Sequence, residues 1–383
     1  MSENHHGKLT QILLCLFMTI CLFGCSSARR TEQLENYPIE HELEFGGAYI
    51  KMSIDDFLDM GYRFGDCVRV EFSNGYVYEN LPFYNGYFVS PDETLLVGYP
   101  GYPYIKVAVY NGEDMWYEAG LSDTDTATVT LVERGRYLEI QQAHDVQQEN
   151  ERAAYESDEI FANFRPLNFG NLRDNLIYRS SSPCDNTYNR ASYVQTLMEQ
   201  HGIKLVIDLS DTPEELASIM SSDPNLSPYY QTLYNEGKIM TPVINTRYSD
   251  HEIKSKIVTM LVDMVHEPGP YMIHCALGKD RTGFIALLLE MLAGASYEDM
   301  RDDYMKTYEN FYHISVNNEK QKYETIVSES YELLLQTLVP DETADLKTAD
   351  LVPYAEAYLK EGGMSDEDLD FLKSVIMNYE KQR

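Results

Sequence analysis

The chain has 383 residues, with 62 acidic against 30 basic side chains and a formal net charge of −32. This charge argues against sequence-independent nucleic-acid binding, which needs a basic face on the phosphates, and against densely anionic substrates unless the field is locally reversed. A hydrophobic content of 44% is typical of a globular protein, and the length indicates about two or three domains.

Residues 1–24 are predicted to be a signal peptide. The apolar run over 12–24 covers about 20 Å as a helix, less than a bilayer core of roughly 30 Å. The four residues from Leu22 to Cys25 resemble the lipobox of bacterial lipoproteins. That resemblance implies that Cys25 is lipidated and holds the chain on the extracytoplasmic side of a bacterial cell membrane. A cleaved secretory signal and an uncleaved anchor are the alternatives.

The remaining cysteines predict neither a disulfide framework nor a metal site. After removal of residues 1–24 and acylation of Cys25, only Cys67, Cys184 and Cys275 are left. No Cys-x-x-Cys or paired histidine spacing accompanies them, so we expect no metal and no cofactor. A reversible disulfide between Cys184 and Cys275 is one interpretation, and an ordinary Cys184 thiol is the other.

Residues 25–45 read as a polar tether, and residues 46–142 as a small, mostly antiparallel β domain. Apolar and polar residues alternate from Val68 to Phe72, and Asn74-Gly75 then marks a hairpin turn. The same dipeptide recurs at 85–86 and 111–112. Arg134-Gly135 is predicted to join two further strands. These two strands are expected over 127–132 and 136–140.

The β domain loosely resembles the carboxy-terminal barrel of S-adenosylmethionine hydroxide adenosyltransferases. The resemblance depends chiefly on the run LLVGYPGYPY from Leu95 to Tyr104 and does not include the partner domain that adenosyl transfer needs. We interpret this domain as a binding or packing module, with a structural spacer as the alternative. Its many tyrosines are typical of cross-strand packing pairs.

An acidic linker over 143–157 precedes a segment, 158–383, in which short apolar runs alternate with helical stretches. Strands are predicted over 205–207, 239–244 and 271–273, and apolar residues recur at helical spacing from Ile253 to Met264. This alternation indicates an α/β domain with a central, largely parallel sheet flanked by helices.

The motif HCALGKDRTG, from His274 to Gly283, lies where the third of these strands meets a helix. Backbone N–H groups of Ala276, Leu277, Gly278, Lys279, Asp280 and Arg281 can cradle a tetrahedral oxyanion at the helix N-terminus. Arg281 can bind two phosphate oxygens. The same helix end stabilises a thiolate at Cys275, toward which Thr282 is placed to donate its hydroxyl.

This motif resembles the signature loop of cysteine-dependent protein tyrosine phosphatases, and its GKDRTG ending resembles the bacterial tyrosine/lipid phosphatases. Leu277 and Ser210 depart from the usual Ala and Arg of those enzymes. The resemblance implies a thiophosphoryl-enzyme mechanism with Cys275 as nucleophile, Arg281 on the phosphate and His274 as a structural support. It offers Asp208 or Asp250 as general acid, with Asp211 and Asp280 as further alternatives.

We therefore expect a phosphatase acting on phosphotyrosine-type proteins. A phosphoinositide phosphatase and a non-catalytic module that binds a phosphorylated ligand are the alternatives, so the predicted partners are a phosphorylated protein or lipid and a membrane, without nucleic acid. From Asn245 to Gly283 the numbers of acidic and basic side chains are equal. The overall acidity is therefore kept away from the stretch that binds phosphate.

Overall fold

The computed structural model describes residues 33–43, 46–341 and 343–378. The predicted signal peptide and its lipidation site, Cys25, lie outside these residues. Within the ranges described, no helix combines the length and apolar character needed to cross a membrane.

The amino-terminal part is a closed barrel of seven strands in the order β1-β2-β6-β5-β4-β3-β7. All neighbouring pairs are antiparallel except β4 and β5, which are parallel. The strands are β1 (Leu34–His41), β2 (Ala48–Ile50), β3 (Cys67–Phe72), β4 (Val77–Tyr84), β5 (Thr94–Val97), β6 (Ile105–Val109) and β7 (Thr126–Glu133). Two short helices, α1 (Ile54–Asp59) and α2 (Met115–Glu118), join them.

Strand β1 corrects the prediction of a polar tether over 25–45. Leu34 and Ile39 point into the barrel core, and most of the strand's other residues are exposed or half-buried. The strand pairs with β2 on one side and β7 on the other, which closes the barrel. Because so few of its residues are apolar, the sequence pattern of this strand is weak.

The predicted turns have different outcomes. Asn74-Gly75 joins the antiparallel pair β3 and β4, as expected. The dipeptides at 85–86 and 111–112 form no hairpin, because β4 pairs with β5 in parallel and β6 leads into α2. The predicted strand over 136–140 is also wrong. Both edges of β7 are already paired, so the chain instead enters helix α3 (Leu138–His144).

The predicted linker over 143–157 is fastened to the second part of the chain. It contains the end of α3 and a short 3₁₀ turn, Arg152–Ala154. The Glu149 N–H donates to the Phe311 carbonyl at 3.0 Å, and its own carbonyl accepts from Arg190 at 2.6 Å. The segment is therefore hydrogen-bonded to the α/β part.

The second part is built on a five-stranded sheet in the order β11-β10-β12-β9-β8. Its strands are β8 (Arg165–Pro166), β9 (Ile177–Ser180), β10 (Leu205–Asp208), β11 (Ile239–Met240) and β12 (Tyr271–His274). All neighbours are parallel except β8 and β9. The predicted α/β architecture with a largely parallel sheet is thus confirmed, although β11 is shorter than expected.

Helices cover both faces of this sheet. They are α4 (Asp158–Phe161), α5 (Ala191–Gln200), α6 (Pro213–Ser222), α7 (Pro228–Asn235), α8 (His251–His266), α9 (Asp280–Leu292), α10 (Tyr297–Tyr312), α11 (Lys320–Ile326), α12 (Glu332–Leu338), α13 (Val352–Glu361) and α14 (Asp366–Ile376). A π-helical turn, Val327–Tyr331, separates α11 from α12.

Successive side chains of a strand point to opposite faces of the sheet and pack into two different hydrophobic cores. On β10, Leu205 and Ile207 pack into the core with α8, α9 and α10, whereas Val206 packs into the other with α5 and α7. Burial on both faces explains why the strands read as continuous apolar runs. The carboxyl ends of β10 and β12 lie side by side, since Asp208 pairs in register with His274.

Candidate active site

The signature motif forms a loop between β12 and α9, at the carboxyl edge of the sheet. Cys275 follows the last residue of the strand and is 4% exposed. Residues 276–279 make the turn, and Asp280 and Arg281 are the first residues of α9. The expected order of strand, loop and helix is therefore present, and it places the Cys275 sulfur at the base of a helix N-terminus.

The backbone of this loop is arranged as a cradle for an anion. The carbonyls of residues 276–279 all accept hydrogen bonds from elsewhere in the protein: Ala276 from Ser182 N at 3.0 Å, Leu277 from Asn163 Nδ2 at 3.2 Å, Gly278 from Arg179 Nη2 at 2.7 Å and Lys279 from Gly283 N at 2.8 Å. Within the described chain, the N–H groups of the same four residues donate to no acceptor. Four successive donors thus remain for an oxyanion.

Gly278 allows the loop to lie against strand β9. Its φ is +65°, and a Cβ built there would stand 2.0 Å from the Ser180 carbonyl oxygen. The close approach is therefore to the protein's own backbone. Only glycine accommodates both the left-handed conformation and this contact.

Arg281 is the second residue of α9 and is tied to the end of β10. Its Nη1 donates to the Leu209 carbonyl at 2.9 Å, which ties the guanidinium to the chain that leaves β10. Among the described residues it forms no ion pair. Thr282 differs from the prediction, because its hydroxyl is buried and makes no hydrogen bond in the described chain, including to the Cys275 sulfur.

Comparison with known proteins accounts for this geometry. Residues 161–378, more than half of the chain, match the tyrosine phosphatase family. The chain belongs to the tyrosine phosphatase family. It is a cysteine-dependent phosphatase, as the signature loop predicts.

Other comparisons add less. A search of curated proteins gives no match. Among solved structures, the core catalytic domain of the PP-IP phosphatase SIW14 from S. cerevisiae, in complex with citrate, is similar over 46% of this chain and 93% of that chain. The identity is 18% and the TM-score 0.27, and we base no assignment of substrate on this similarity.

A buried ionic network supports the loop of this phosphatase from below. Asp303 lies between two arginines, with Arg165 Nε at 2.7 Å from Oδ1 and Arg179 Nη1 bonded to Oδ2. Burial opposes ionisation, yet the two guanidinium groups hold the pKa of Asp303 below its usual range. Burial also lowers the pKa of Arg165 to about 10, so it stays charged at neutral pH. Through Arg179, the network reaches the Gly278 carbonyl.

Asp208, one of the predicted general acids, is fully buried at the end of β10. Its Oδ1 accepts from the N–H groups of Ser210 at 2.8 Å and Asp211 at 3.2 Å, and it lies 3.9 Å from His274 Nδ1. Burial raises the pKa of Asp208 and lowers that of His274 to about 4, which keeps this imidazole uncharged at neutral pH. These bonds make Asp208 a support for the turn beside Arg281.

Asp211 lies next to Asp208 and is half-buried. Burial, together with the neighbouring Asp208 charge, raises the pKa of Asp211 to about 6. Its Oδ2 accepts from the Cys184 thiol at 3.4 Å, and Cys184 and Cys275 are both free thiols in this structure. The side chains of Cys184, Asp208 and Asp211 could bring ligand atoms within 4.8 Å of one another. Asp208 Oδ1 and Asp211 Oδ2 accept hydrogen bonds from the protein, whereas Asp208 Oδ2 is buried without a partner in the described chain.

The raised pKa of Asp211 predicts a pH-dependent stability. A carboxyl whose pKa is raised on folding stabilises the fold while it is protonated, and loses this contribution as the pH rises through about 6. We therefore expect Asp211→Asn to increase the free energy of unfolding by about 1 kcal/mol at pH 7.5, after allowing for solvent screening of a half-buried group. Below about pH 4 the difference should disappear.

Urea denaturation at a series of pH values measures this effect. The matched control is Glu214→Gln, an exposed position in the next helix, α6, which should not change the pH dependence. A variant Asp211→Asn that is less stable than the wild type at pH 7.5 would contradict the prediction.

Asp250, the other predicted general acid, is partly exposed. It precedes α8, is 45% exposed and pairs with Arg247 at 3.1 Å. Its side chain makes no capping bond to the helix. It lines a cleft of about 410 Å³ that also contains Lys279 and Asp280 of the loop. The structure therefore brings Asp250 to the cleft and keeps Asp208 buried.

Sequence reasoning did not find the residues that hold the loop from a distance. Asn163, Arg179 and Asp303 bond to the loop or to each other although they lie roughly 100 residues or more apart in the chain. Arg179 lies in the stretch LIYRSS, from Leu176 to Ser181, and Asp303 precedes Tyr304 after the signature helix; both stretches also resemble the family, and this was the available signal. Nothing local in the sequence shows that the Arg179 guanidinium reaches the Gly278 carbonyl.

Proposed function

We propose that this phosphatase hydrolyses phosphotyrosine-type phosphomonoesters on proteins through a covalent intermediate on Cys275. The observation that carries the proposal is the cradle of four donor N–H groups at the N-terminus of α9, with Cys275 at its base and Arg281 beside it. The loop N–H groups lie at the positive end of α9, which favours a bound anion. The loop amides and the guanidinium neutralise the phosphoryl oxygens.

The reaction has two displacements at phosphorus. The Cys275 sulfur forms a bond to phosphorus while the bond to the substrate oxygen breaks, and a carboxylic acid gives that oxygen its proton. Water then attacks the phosphorus and transfers a proton to the same carboxylate. The P–S bond breaks, and inorganic phosphate leaves with the thiolate restored.

An aromatic leaving group fits the surroundings of the loop. Tyr110, Tyr248 and Tyr308 are among the residues that line the cleft beside Lys279. Lys279 Nζ lies 5.3 Å from the centre of the Tyr308 ring. Aromatic residues in the cleft favour an aryl ester over a sugar phosphate, because stacked and edge-to-face contacts between aromatic rings need an aromatic ring on the substrate.

We assign the role of general acid to Asp250. A group that gives a proton to the leaving oxygen must reach it within hydrogen-bond distance. The Asp250 side chain is 45% exposed and lines the cleft. Asp208 is buried, and its Oδ1 accepts two backbone hydrogen bonds. A bound phosphate would compete with Asp250 for Arg247. The carboxyl would then be available to the leaving oxygen.

Asp250→Asn is expected to lower kcat by about 10²- to 10⁴-fold on an aryl phosphate and to remove the basic limb of the pH–rate profile. Asp263→Asn, at an exposed position of the same helix, is the matched control and should leave kcat and the profile unchanged. The same profile should be recorded for Asp208→Asn and Asp211→Asn. Loss of the basic limb in either of these, and not in Asp250→Asn, would move the role of acid to that residue.

The substrate class is tested by comparing phosphotyrosyl peptides with vesicles that contain phosphoinositides. We expect the higher kcat/KM on the peptides. A preference for the lipids would favour the phosphoinositide alternative and leave the Cys275 chemistry intact. Binding of phosphorylated ligands without any turnover would instead favour the non-catalytic module, which the family membership already argues against.

We also propose that Cys25 carries lipid and holds the phosphatase on the extracytoplasmic side of a bacterial cell membrane. The support is the lipobox-like sequence that ends at Cys25. In cells fed an alkyne fatty acid, the protein should become labelled and sediment with membranes, and Cys25→Ser should abolish both. Unchanged labelling in the variant would contradict the proposal.

A further inference from the structure

The cleft beside Lys279 and Asp280 has one wall from the barrel and one from the phosphatase part, and Cys275 and Arg281 are not among the residues that line it. Barrel residues Phe88, Asp92 and Tyr110 face it on one side, and Lys279 and Asp280 of the loop face it on the other. The barrel therefore takes part in the shape of the space next to the phosphate-binding loop.

Hydrogen bonds hold the two walls together. Asn111, which follows Tyr110, donates from Nδ2 to Thr246 Oγ1 at 3.3 Å. On helix α11, Gln321 Nε2 donates to Glu139 Oε1 at 2.9 Å. These two hydrogen bonds connect the barrel and helix α3 to the phosphatase part next to the cleft.

The barrel wall of the cleft is aromatic and without positive charge. The Phe88 ring stacks on His144 with centres 4.2 Å apart and an angle of 9° between the planes. Burial lowers the pKa of His144 to about 4, so this imidazole is neutral at physiological pH. A substrate ring bound between the barrel wall and the loop would contact aromatic side chains of the barrel, and no Lys or Arg of the barrel lines the cleft.

Two acidic side chains stand at the cleft without a compensating cation. Asp92 on the barrel and Glu329 in the π-helical turn Val327–Tyr331 are exposed, and in the described chain neither has an ion-pair partner. The other cleft carboxylates differ, because Asp250 pairs with Arg247 and Asp280 lies 3.7 Å from Lys279 Nζ. The unpaired negative charge comes from both walls.

We propose that the barrel forms the second wall of the substrate site and selects phosphotyrosine that has a lysine or arginine next to it in the peptide. This inference rests on the proposed function. The aryl ring lies against the aromatic wall with its phosphate on the loop, and the neighbouring basic side chain approaches Asp92 and Glu329. The same charges repel acidic peptides and anionic lipid surfaces.

The test compares phosphotyrosyl peptides that carry either lysine or glutamate on both sides of the phosphotyrosine. We expect the wild type to favour the lysine peptide by about tenfold in kcat/KM at low salt. Each carboxylate should contribute about threefold, which is the order of magnitude for two exposed charges a few ångströms apart. In the double variant Asp92→Asn and Glu329→Gln, the ratio of kcat/KM between the lysine and glutamate peptides should fall close to one. High salt should weaken the wild-type preference.

The matched control is a second double variant, Asp123→Asn and Glu133→Gln, at exposed barrel positions that do not line the cleft. It removes the same net charge and should keep the wild-type ratio. An equal change in both double variants would show that only the overall charge acts, and an unchanged ratio in the cleft variant would overturn the proposal. If the wild type hydrolyses neither peptide nor a generic aryl phosphate, it is the proposed function that fails.

Discussion

Cys275→Ser is expected to abolish hydrolysis, with kcat on an aryl phosphate lowered by about four orders of magnitude or more. The serine hydroxyl is a far weaker nucleophile, and the loop provides no base to activate it. The cradle itself should survive, because its N–H groups and Arg281 belong to the backbone and to another side chain. The variant should therefore still bind inorganic phosphate.

Steady-state kinetics and isothermal titration with phosphate measure the two effects separately. Cys67→Ser is the matched control, since that thiol is buried in the barrel at the start of β3. It should keep wild-type kcat on an aryl phosphate. Activity of Cys275→Ser above about a hundredth of the wild type would exclude the covalent mechanism on this residue.

Asp303→Asn should cost about 3–5 kcal/mol of the free energy of unfolding. The change removes the carboxylate that forms ion pairs with both Arg165 and Arg179, and it leaves these two buried guanidinium groups without those ion pairs. Because Arg179 also holds the Gly278 carbonyl, we expect the phosphate loop to loosen and kcat to fall as well.

The neighbouring residue offers a control for this prediction. Asp302 is exposed and pairs with Arg301 at the surface, so Asp302→Asn should change stability by less than about 1 kcal/mol. Denaturant unfolding of both variants makes the comparison. Equal stabilities would mean that the buried network does not support the fold as we describe it.

The sequence predicted the phosphate loop well because the loop is local. Strand β12, the turn and helix α9 are continuous in the chain, and an apolar run, a glycine and a helix start are enough to specify them. Prediction failed where an element depended on distant partners. Strand β1 is stabilised by β2 and β7, and the stretch 136–140 is helical at its end because β7 has no free edge.

The choice between the two candidate general acids also depends on tertiary structure. From the sequence, the family resemblance offered Asp208 by its position at the end of a strand and Asp250 by its position on a loop before the cysteine. Burial separates them in the structure, because Asp208 is used by two backbone N–H groups and Asp250 faces the cleft. No residue pattern along the chain encodes which side of the loop an aspartate will face.

The net charge of −32 and its distribution around the phosphate loop depend partly on the sequence and partly on the tertiary structure. The sequence by itself determined that the protein is strongly acidic, that the stretch around the loop is neutral and that Cys275 and Arg281 share one phosphate loop. Only the tertiary structure decided that the barrel adds aromatic rings and Asp92 to the space beside that loop. Chain neighbours specify a turn, whereas a cleft between two folded units is set by the packing of residues far apart in sequence.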